Sequence, residues 1–219
     1  MAQRRFDAAI FDLDGTLADT LGDIADAMNR ALTDLGCPTH DLETYRMLVG
    51  EGVEHLAQGA LPAHRADAVP EAVRHFRRHY AEHVVEHSRV FPGVHAMLEA
   101  LCARDLRVAV LSNKLDALTK RVVQVCLSRW PLEPVYGERQ GVARKPDPAA
   151  ALEIARELRV EPSRCLFVGD TAVDMKTARN AGMFGVGVLW GFRGRDELEG
   201  NGARAIISRP EELLALVDG

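Results

Sequence analysis

From about Val90 onward, short uninterrupted apolar runs alternate with helical patterns. Arg107-Val108-Ala109-Val110-Leu111 precedes a helix-like stretch at 115–126, and Cys165-Leu166-Phe167-Val168 precedes another at 171–181. Gly185-Val186-Gly187-Val188-Leu189 is followed by a short helical pattern at 196–199, and Ala205-Ile206-Ile207 by one at 210–217. A strand that is apolar at every position must be covered on both faces. That is the condition of strands in a parallel sheet lying between two helix layers. The apolar residues Ala8-Ala9-Ile10-Phe11 add a first strand, near residues 7–12, to the same set. Ligands in such sheets bind outside the carboxyl ends of the strands. The polar clusters fall there: Asp12 and Asp14, Ser112-Asn113-Lys114, and Gly169-Asp170.

Residues 17–89 read differently. Ile24, Met28, Ala31, Leu32 and Leu35 recur at helical spacing, and no convincing strand is present. Pro92-Gly93 marks the return to the strand-and-helix pattern. The expected architecture is α/β: a Rossmann-like parallel-sheet core from residues 1–16 and 90–219, with 17–89 inserted as an α-helical cap. An insert placed immediately after the first polar turn is expected to sit over the mouth of the site as a lid.

Composition narrows the function classes. The 219 residues suffice for one full core and a smaller second unit. The chain is 47% hydrophobic and 27% charged, as ordinary globular proteins are. A net charge of -5, with no basic run longer than Arg77-Arg78, speaks against nucleic-acid binding. No apolar run reaches the roughly 18 residues of a membrane span, and Asp7, Asp12 and Asp14 interrupt any signal-peptide core after the basic start Met1-Ala2-Gln3-Arg4-Arg5. Cys37, Cys102, Cys126 and Cys165 form no C-x-x-C pair, as expected of reduced thiols in a cytoplasmic protein. Oligomeric state is left open between monomer and homodimer.

The sharpest cluster is Asp12-Leu13-Asp14-Gly15-Thr16. Strand alternation would point Asp12 and Asp14 into one space, where two carboxylates repel unless a cation or shared proton intervenes. Gly15 and Thr16 suit a turn whose backbone N–H groups face an anion. Carboxylates beside anion-facing amides are reconciled by a metal-bound phosphate. A calcium loop is the competing reading, but no further acids follow at EF-hand spacing. In Gly169-Asp170-Thr171-Ala172-Val173-Asp174, Asp170 and Asp174 read either as metal-site carboxylates or as helix capping, with Thr171 or Asp170 as N-cap and Asp174 as a first-turn acid. Ser112 and Asn113 read as phosphate-oxygen donors or as a polar turn. Lys145-Pro146-Asp147-Pro148 opens a helix near 149–159, with Asp147 as cap in the plain reading. Only Lys114, Lys120, Lys145 and Lys176 are lysines, and two of them sit in these clusters, as suits sites needing a compact point charge. His75, His79, His83 and His87 recur at i, i+4 along one expected helix, read either as a transition-metal or pH-sensing stripe or as a plain amphipathic face. Gly182, Gly185 and Gly187 follow a helix rather than precede one, so they read as a helix C-cap and a close-packed strand.

In this order, the four clusters resemble the motifs of the haloacid dehalogenase superfamily of phosphohydrolases, over nearly the whole chain. Asp12 to Thr16 resembles the first motif, Ser112-Asn113 the second, Lys145 the third, and Gly169-Asp170 through Asp174 the fourth. The insert is similar to that family's C1 cap. The 46–52 segment, Phe91-Pro92-Gly93-Val94 and Trp190-Gly191-Phe192-Arg193 resemble the phosphoglycolate phosphatase-type branch. Leu115 stands where members often carry Pro.

The resemblance implies a phosphatase that forms an aspartyl-phosphate. Asp12 would be the nucleophile and Asp14 the acid and base. Lys145, Ser112, Asn113 and Gly15 would hold the phosphate, and Mg²⁺ would be held by Asp12, Asp170 and the backbone carbonyl of Asp14. Asp174 would orient the metal shell or Lys145, while Arg46 and Gly50 of the insert would contact substrate. The expected partner is a small phosphorylated metabolite, with 2-phosphoglycolate as first choice. A phosphosugar mutase, or a pyrophosphatase or nucleotidase of the same superfamily, stays open. A dehalogenase or phosphonatase resemblance would lack the second acid at Asp14. A receiver-type phospho-switch would need neither that acid nor the insert.

Overall fold

The computed structural model describes residues 4–83 and 85–219; Met1 to Gln3 of the basic start lie outside the described residues. The chain divides into two compact units, residues 19–89 and residues 1–18 with 90–219.

The 19–89 unit is helical: α1 (Leu21–Asp34), α2 (Leu42–Leu48), α3 (Val53–Ala60) and α4 (Val69–Glu82). Leu21, Ile24, Ala25, Met28, Ala31 and Leu32 form the buried stripe of α1, and Ala72, Val73, Phe76 and Tyr80 that of α4. These stripes repeat near 3.6 residues, so each helix must lay one face on a partner. Removing a buried side chain such as Met28 or Phe76 from water contributes about 1.5–3 kcal/mol. Asp23, buried in the first turn of α1, accepts the N–H of His87 at 2.7 Å and of Ser88 at 2.9 Å. Those bonds tie the returning chain to α1. Strand is not wholly absent from the insert's ends, since Ala18–Asp19 pairs with Arg89–Val90 as a two-residue ribbon. The histidine stripe also breaks, because α4 ends at Glu82: His83 is its C-cap and His87 lies beyond it.

In the other unit the apolar runs become one parallel six-stranded sheet. Its strands are β1 (Ala8–Phe11), β2 (Arg107–Leu115), β3 (Leu132–Glu138), β4 (Cys165–Gly169), β5 (Phe184–Val188) and β6 (Ala205–Ile207). From edge to edge the order is β3-β2-β1-β4-β5-β6. This is a doubly wound, Rossmann-like arrangement whose direction of winding reverses beside β1, where a crevice opens at the strand ends. The flanking helices are α5 (Val94–Cys102), α6 (Asp116–Cys126), α7 (Ala149–Glu157), α8 (Ala172–Asn180), α9 (Arg195–Gly200) and α10 (Leu213–Asp218). Alternate residues Ala8 and Ile10, Ala109 and Leu111, and Cys165 and Phe167 share one core cluster with Ala150, Ile154 and Ala178. Small alanines on the sheet and on the helices let the two layers approach closely.

Two local expectations are corrected. The strand expected to end at Leu111 continues to Leu115, because pairing with β3 resumes at Leu115–Glu138 after a register shift. β3 itself was not legible, since Glu133, Pro134 and Gly137 interrupt its pattern as they can only in an edge strand. Gly182 has φ +69 just past α8, as a helix-ending glycine does.

Candidate active site

The first motif is built by a strand that stops early. β1 ends at Phe11, and Asp12 leaves it with its N–H still donating to Val168 O at 2.9 Å. The chain then turns sharply around Leu13 O, which accepts from the N–H groups of Thr16, Leu17 and Ala18 at 3.3, 3.0 and 3.0 Å. Gly15 has φ +85, and a Cβ there would lie 2.3 Å from Asp170 Oδ2, so the position admits only glycine. The expectation that the Gly15 and Thr16 amides face an anion is corrected here. Gly15 N–H donates to Ala18 O at 2.9 Å and Thr16 N–H to Leu13 O, so both are spent inside the turn. Simple strand alternation therefore does not set the directions of Asp12 and Asp14. Asp12 meets Lys145, whereas Lys114 Nζ binds both oxygens of Asp14, at 2.7 and 2.9 Å.

Lys145 arrives on the loop before α7. Asp147 Oδ1 accepts the N–H of Ala149 at 2.9 Å, but the plain reading of Asp147 as helix cap is corrected, because Pro148 is the N-cap of α7 and no side chain caps it. One amide proton of Asn113 goes to Lys145 O at 3.0 Å, making Asn113 a support for the lysine backbone. Ser112 is buried next to Asn113 within β2, and its Oγ accepts the N–H of Lys114 at 3.2 Å.

Asp170 follows β4 and Asp174 lies in the first turn of α8; both are fully buried. Asp174 serves two ends at once. Its Oδ2 accepts the Thr171 N–H at 3.0 Å and the Thr171 hydroxyl at 2.7 Å, while Oδ1 takes Lys145 Nζ at 2.7 Å. Asp170 Oδ1 accepts the Thr16 hydroxyl at 3.0 Å, and its Oδ2 accepts the Phe192 N–H at 2.8 Å. Gly191 is the neighbour that permits this, because a Cβ there would meet Asp170 Cβ at 2.3 Å. Trp190 Nε1 donates to Thr16 O at 2.9 Å and closes the segment onto the first motif.

One carboxylate oxygen each from Asp12, Asp170 and Asp174 lies within 4.8 Å of the others. Lys145 Nζ faces this set, 2.9 Å from Asp12 Oδ1 and 2.7 Å from Asp174 Oδ1. Burial pushes the Asp12 carboxyl up to about 7, the charges of Asp174 and Asp14 add to the rise, and Lys145 opposes it. Burial, with Asp174 and Asp12 beside it, likewise holds Asp170 well above the usual carboxylate range. For Lys145 burial works against the charge, but Asp12 and Asp174 outweigh it and keep the ammonium charged. Asp12 Oδ1, although close to Lys145, has no aligned hydrogen-bond donor. Three buried carboxylates against one ammonium leave an unbalanced negative charge. An all-oxygen set of this kind, with a buried oxygen that no donor is aligned to, fits a hard divalent cation.

Arg46 and Gly50 belong to the other unit. Arg46 sits in the last turn of α2 with Nε 3.4 Å from Glu43 Oε1, and Gly50 adopts φ +126 in the connection to α3. Of the groups that build the site, Thr16 and Lys114 were visible in the motifs but without their partners. The Phe192 N–H carries no side-chain signal at all.

A sequence model of the haloacid dehalogenase-like hydrolases matches residues 9–188. The chain belongs to this family. It is 36% identical over 214 residues to a protein named phosphoglycolate phosphatase, plasmid, from Cupriavidus necator, covering 96% of this chain and 92% of that one. It is 32% identical over 209 residues to a phosphoglycolate phosphatase of Aquifex aeolicus, covering 95% of each. Among solved structures, a haloacid dehalogenase-like family hydrolase from Streptococcus pneumoniae superposes with a TM-score of 0.87 at 25% identity, covering 96% of this chain and 98% of that one. Among the described residues, no helix is long and apolar enough to cross a membrane.

Proposed function

We propose that this hydrolase is a Mg²⁺-dependent phosphatase of small phosphate monoesters, with 2-phosphoglycolate as its first candidate substrate. The observation that carries the reading is the convergence of Asp12, Asp170 and Asp174, with one buried lysine paired to Asp12 and Asp174 and with Asp14 two residues from Asp12. The names of the relatives from Cupriavidus necator and Aquifex aeolicus support the choice of substrate.

In this mechanism an Asp12 oxygen attacks phosphorus, the bond to the ester oxygen breaks, and the leaving alkoxide takes a proton from Asp14. Asp14 then accepts a proton from water as that water attacks the aspartyl-phosphate. The bond between phosphorus and Asp12 breaks, and phosphate leaves. Asp12, Asp170 and the Asp14 carbonyl would hold Mg²⁺, which when bound supplies positive charge to the transferring group. Lys145 balances Asp12 and the phosphoryl oxygens, and Asp174 positions Lys145. Ser112, near the carboxyl end of β2, serves as a phosphate-oxygen donor, with Asn113 next to it in the same role. In this reading residues 19–89 would serve as the cap, with Arg46 as the contact for the substrate carboxylate, Gly50 as a further substrate contact, and closure excluding water.

The test is phosphate release from a panel of 2-phosphoglycolate, hexose phosphates, nucleotides and pyrophosphate, with and without Mg²⁺. Mg²⁺-dependent preference for 2-phosphoglycolate, abolished in Asp12→Asn, is the expected result. Turnover by Asp12→Asn near that of the natural chain refutes the nucleophile, and flat weak activity across the panel refutes the substrate and favours a mutase.

A further inference from the structure

We propose that Asp34, His75 and His79 form a binding site for a transition-metal ion of the zinc class, contained within the helical unit. His75 and His79 lie one turn apart on α4, where i, i+4 side chains share a face. Their side chains are only 18% and 16% exposed, so both rings are partly immobilised. Asp34 is the last residue of α1. Its Oδ2 lies 2.8 Å from His75 Nδ1 and 2.7 Å from His79 Nε2. One ligand atom from each residue falls within 4.8 Å of the others.

A cation already stands at the point these atoms share. Arg78 Nη2 is 2.7 Å from Asp34 Oδ2 and 3.2 Å from each of the two ring nitrogens. That arrangement is frustrated. To meet the donor-only guanidinium, each ring nitrogen must present a lone pair; to meet Asp34, the same nitrogen must present a proton. A metal ion removes the conflict, because two lone pairs and a carboxylate oxygen can then all point at one positive centre. Arg78 is 54% exposed and can swing into solvent.

Zinc bonds of about 2.0–2.2 Å imply ligand atoms roughly 3.3 Å apart in a tetrahedron. The atoms observed at 2.7–2.8 Å need to separate by about half an ångström on flexible side chains. Asp34 and His79 also line a cleft of about 420 Å³ with Asp26, Asn29, Arg30 and Thr33, which gives water and metal a way in. Imidazole ligands select zinc, nickel or copper over magnesium, which separates this site from the carboxylate cluster. The other two histidines of the stripe take different partners: His83 Nδ1 lies 2.6 Å from Glu86 Oε1, and His87 Nε2 lies 3.3 Å from Asp26 Oδ2. A bound ion would staple the end of α1 to the middle of α4.

The test is Zn²⁺ uptake measured against a chromophoric chelator, with excess Mg²⁺ present, on the natural chain and on His75→Ala/His79→Ala, His75→Gln/His79→Gln and Arg78→Ala. The natural chain should take up one more equivalent than either double variant. The double variants should lose more than the roughly 10–100-fold in affinity that follows loss of a merely supporting group. Arg78→Ala should bind more tightly, since its competing cation is gone. Zn²⁺ should raise the thermal midpoint of the natural chain and leave the double variants unmoved. Equal uptake by the natural chain and both double variants overturns the proposal, as does uptake that appears only in Arg78→Ala.

Discussion

Removing the proposed nucleophile should make the metal-free protein more stable. Asp12 is buried, and its carboxyl rises from 3.8 to about 7 on folding, mainly through desolvation. Between those two pH values the folded chain keeps a proton that the unfolded chain has released. Stability contributed by the protonated carboxyl is therefore present at low pH and lost as pH rises toward 7. A shift of about 3 units corresponds to about 4 kcal/mol at 1.36 kcal/mol per unit, which is an upper bound because Asp170 and Asp174 share the same titration. Asn has nearly the same shape and carries no charge, so Asp12→Asn relieves this penalty above pH 7. At pH 5 the relief falls to about a third of that value.

The assay is urea unfolding in EDTA at pH 8 and pH 5. With an m-value near 3 kcal/mol/M, the midpoint at pH 8 should rise by up to about 1 M in Asp12→Asn, and by much less at pH 5. Added Mg²⁺ should raise the midpoint of the natural chain at pH 8 and narrow the gap to the variant. A midpoint for Asp12→Asn at or below that of the natural chain, at pH 8 in EDTA, would refute the claim that the cluster carries uncompensated negative charge. Gain in stability with loss of turnover is the trade expected where a site holds destabilising charge for function.

Lys145→Met should move stability the other way. It strips the carboxylates of their ammonium and should cost about 3–5 kcal/mol in the metal-free protein at pH 8, less at pH 5, read by the same urea titrations. Gly15→Ala puts a methyl group against Asp170 and forces an L residue to φ +85. A loss of about 1–3 kcal/mol is expected, along with most of the turnover, and an active variant of unchanged urea midpoint would contradict the close approach. Lys114→Met removes the ion pair that holds Asp14. Losing such a charged hydrogen bond should cost about 1.5–3 kcal/mol of stability and lower the urea midpoint by about 0.5–1 M, and it should also lower kcat/KM of the folded enzyme; unaltered kinetics would show that Lys114 does not position Asp14.

Much of the fold was legible because its strands carry an apolar residue at nearly every position, a pattern that only a sheet covered on both faces tolerates. The runs at β1, β2, β4, β5 and β6 all show it. β3 escaped because an edge strand is freed from that demand and admits Glu133, Pro134 and Gly137. Asp12, Asp14, Lys145, Asp170 and Asp174 stood out as polar residues closing apolar runs or opening helices, and local sequence is enough to place such residues at strand ends. What local sequence could not decide is which oxygen meets which donor. The Gly15 and Thr16 amides turned inward, since the strand ended at Phe11 and the turn needed them. Lys114 reached Asp14 across 100 residues of chain, and the Phe192 backbone reached Asp170. The histidine stripe was visible as spacing, but its division was not: Asp34 gathers His75 and His79, and α4 ends before His83. Periodicity and punctuation are properties of neighbours along the chain. Pairings between distant side chains depend on register and packing, which exist only once the layers have assembled.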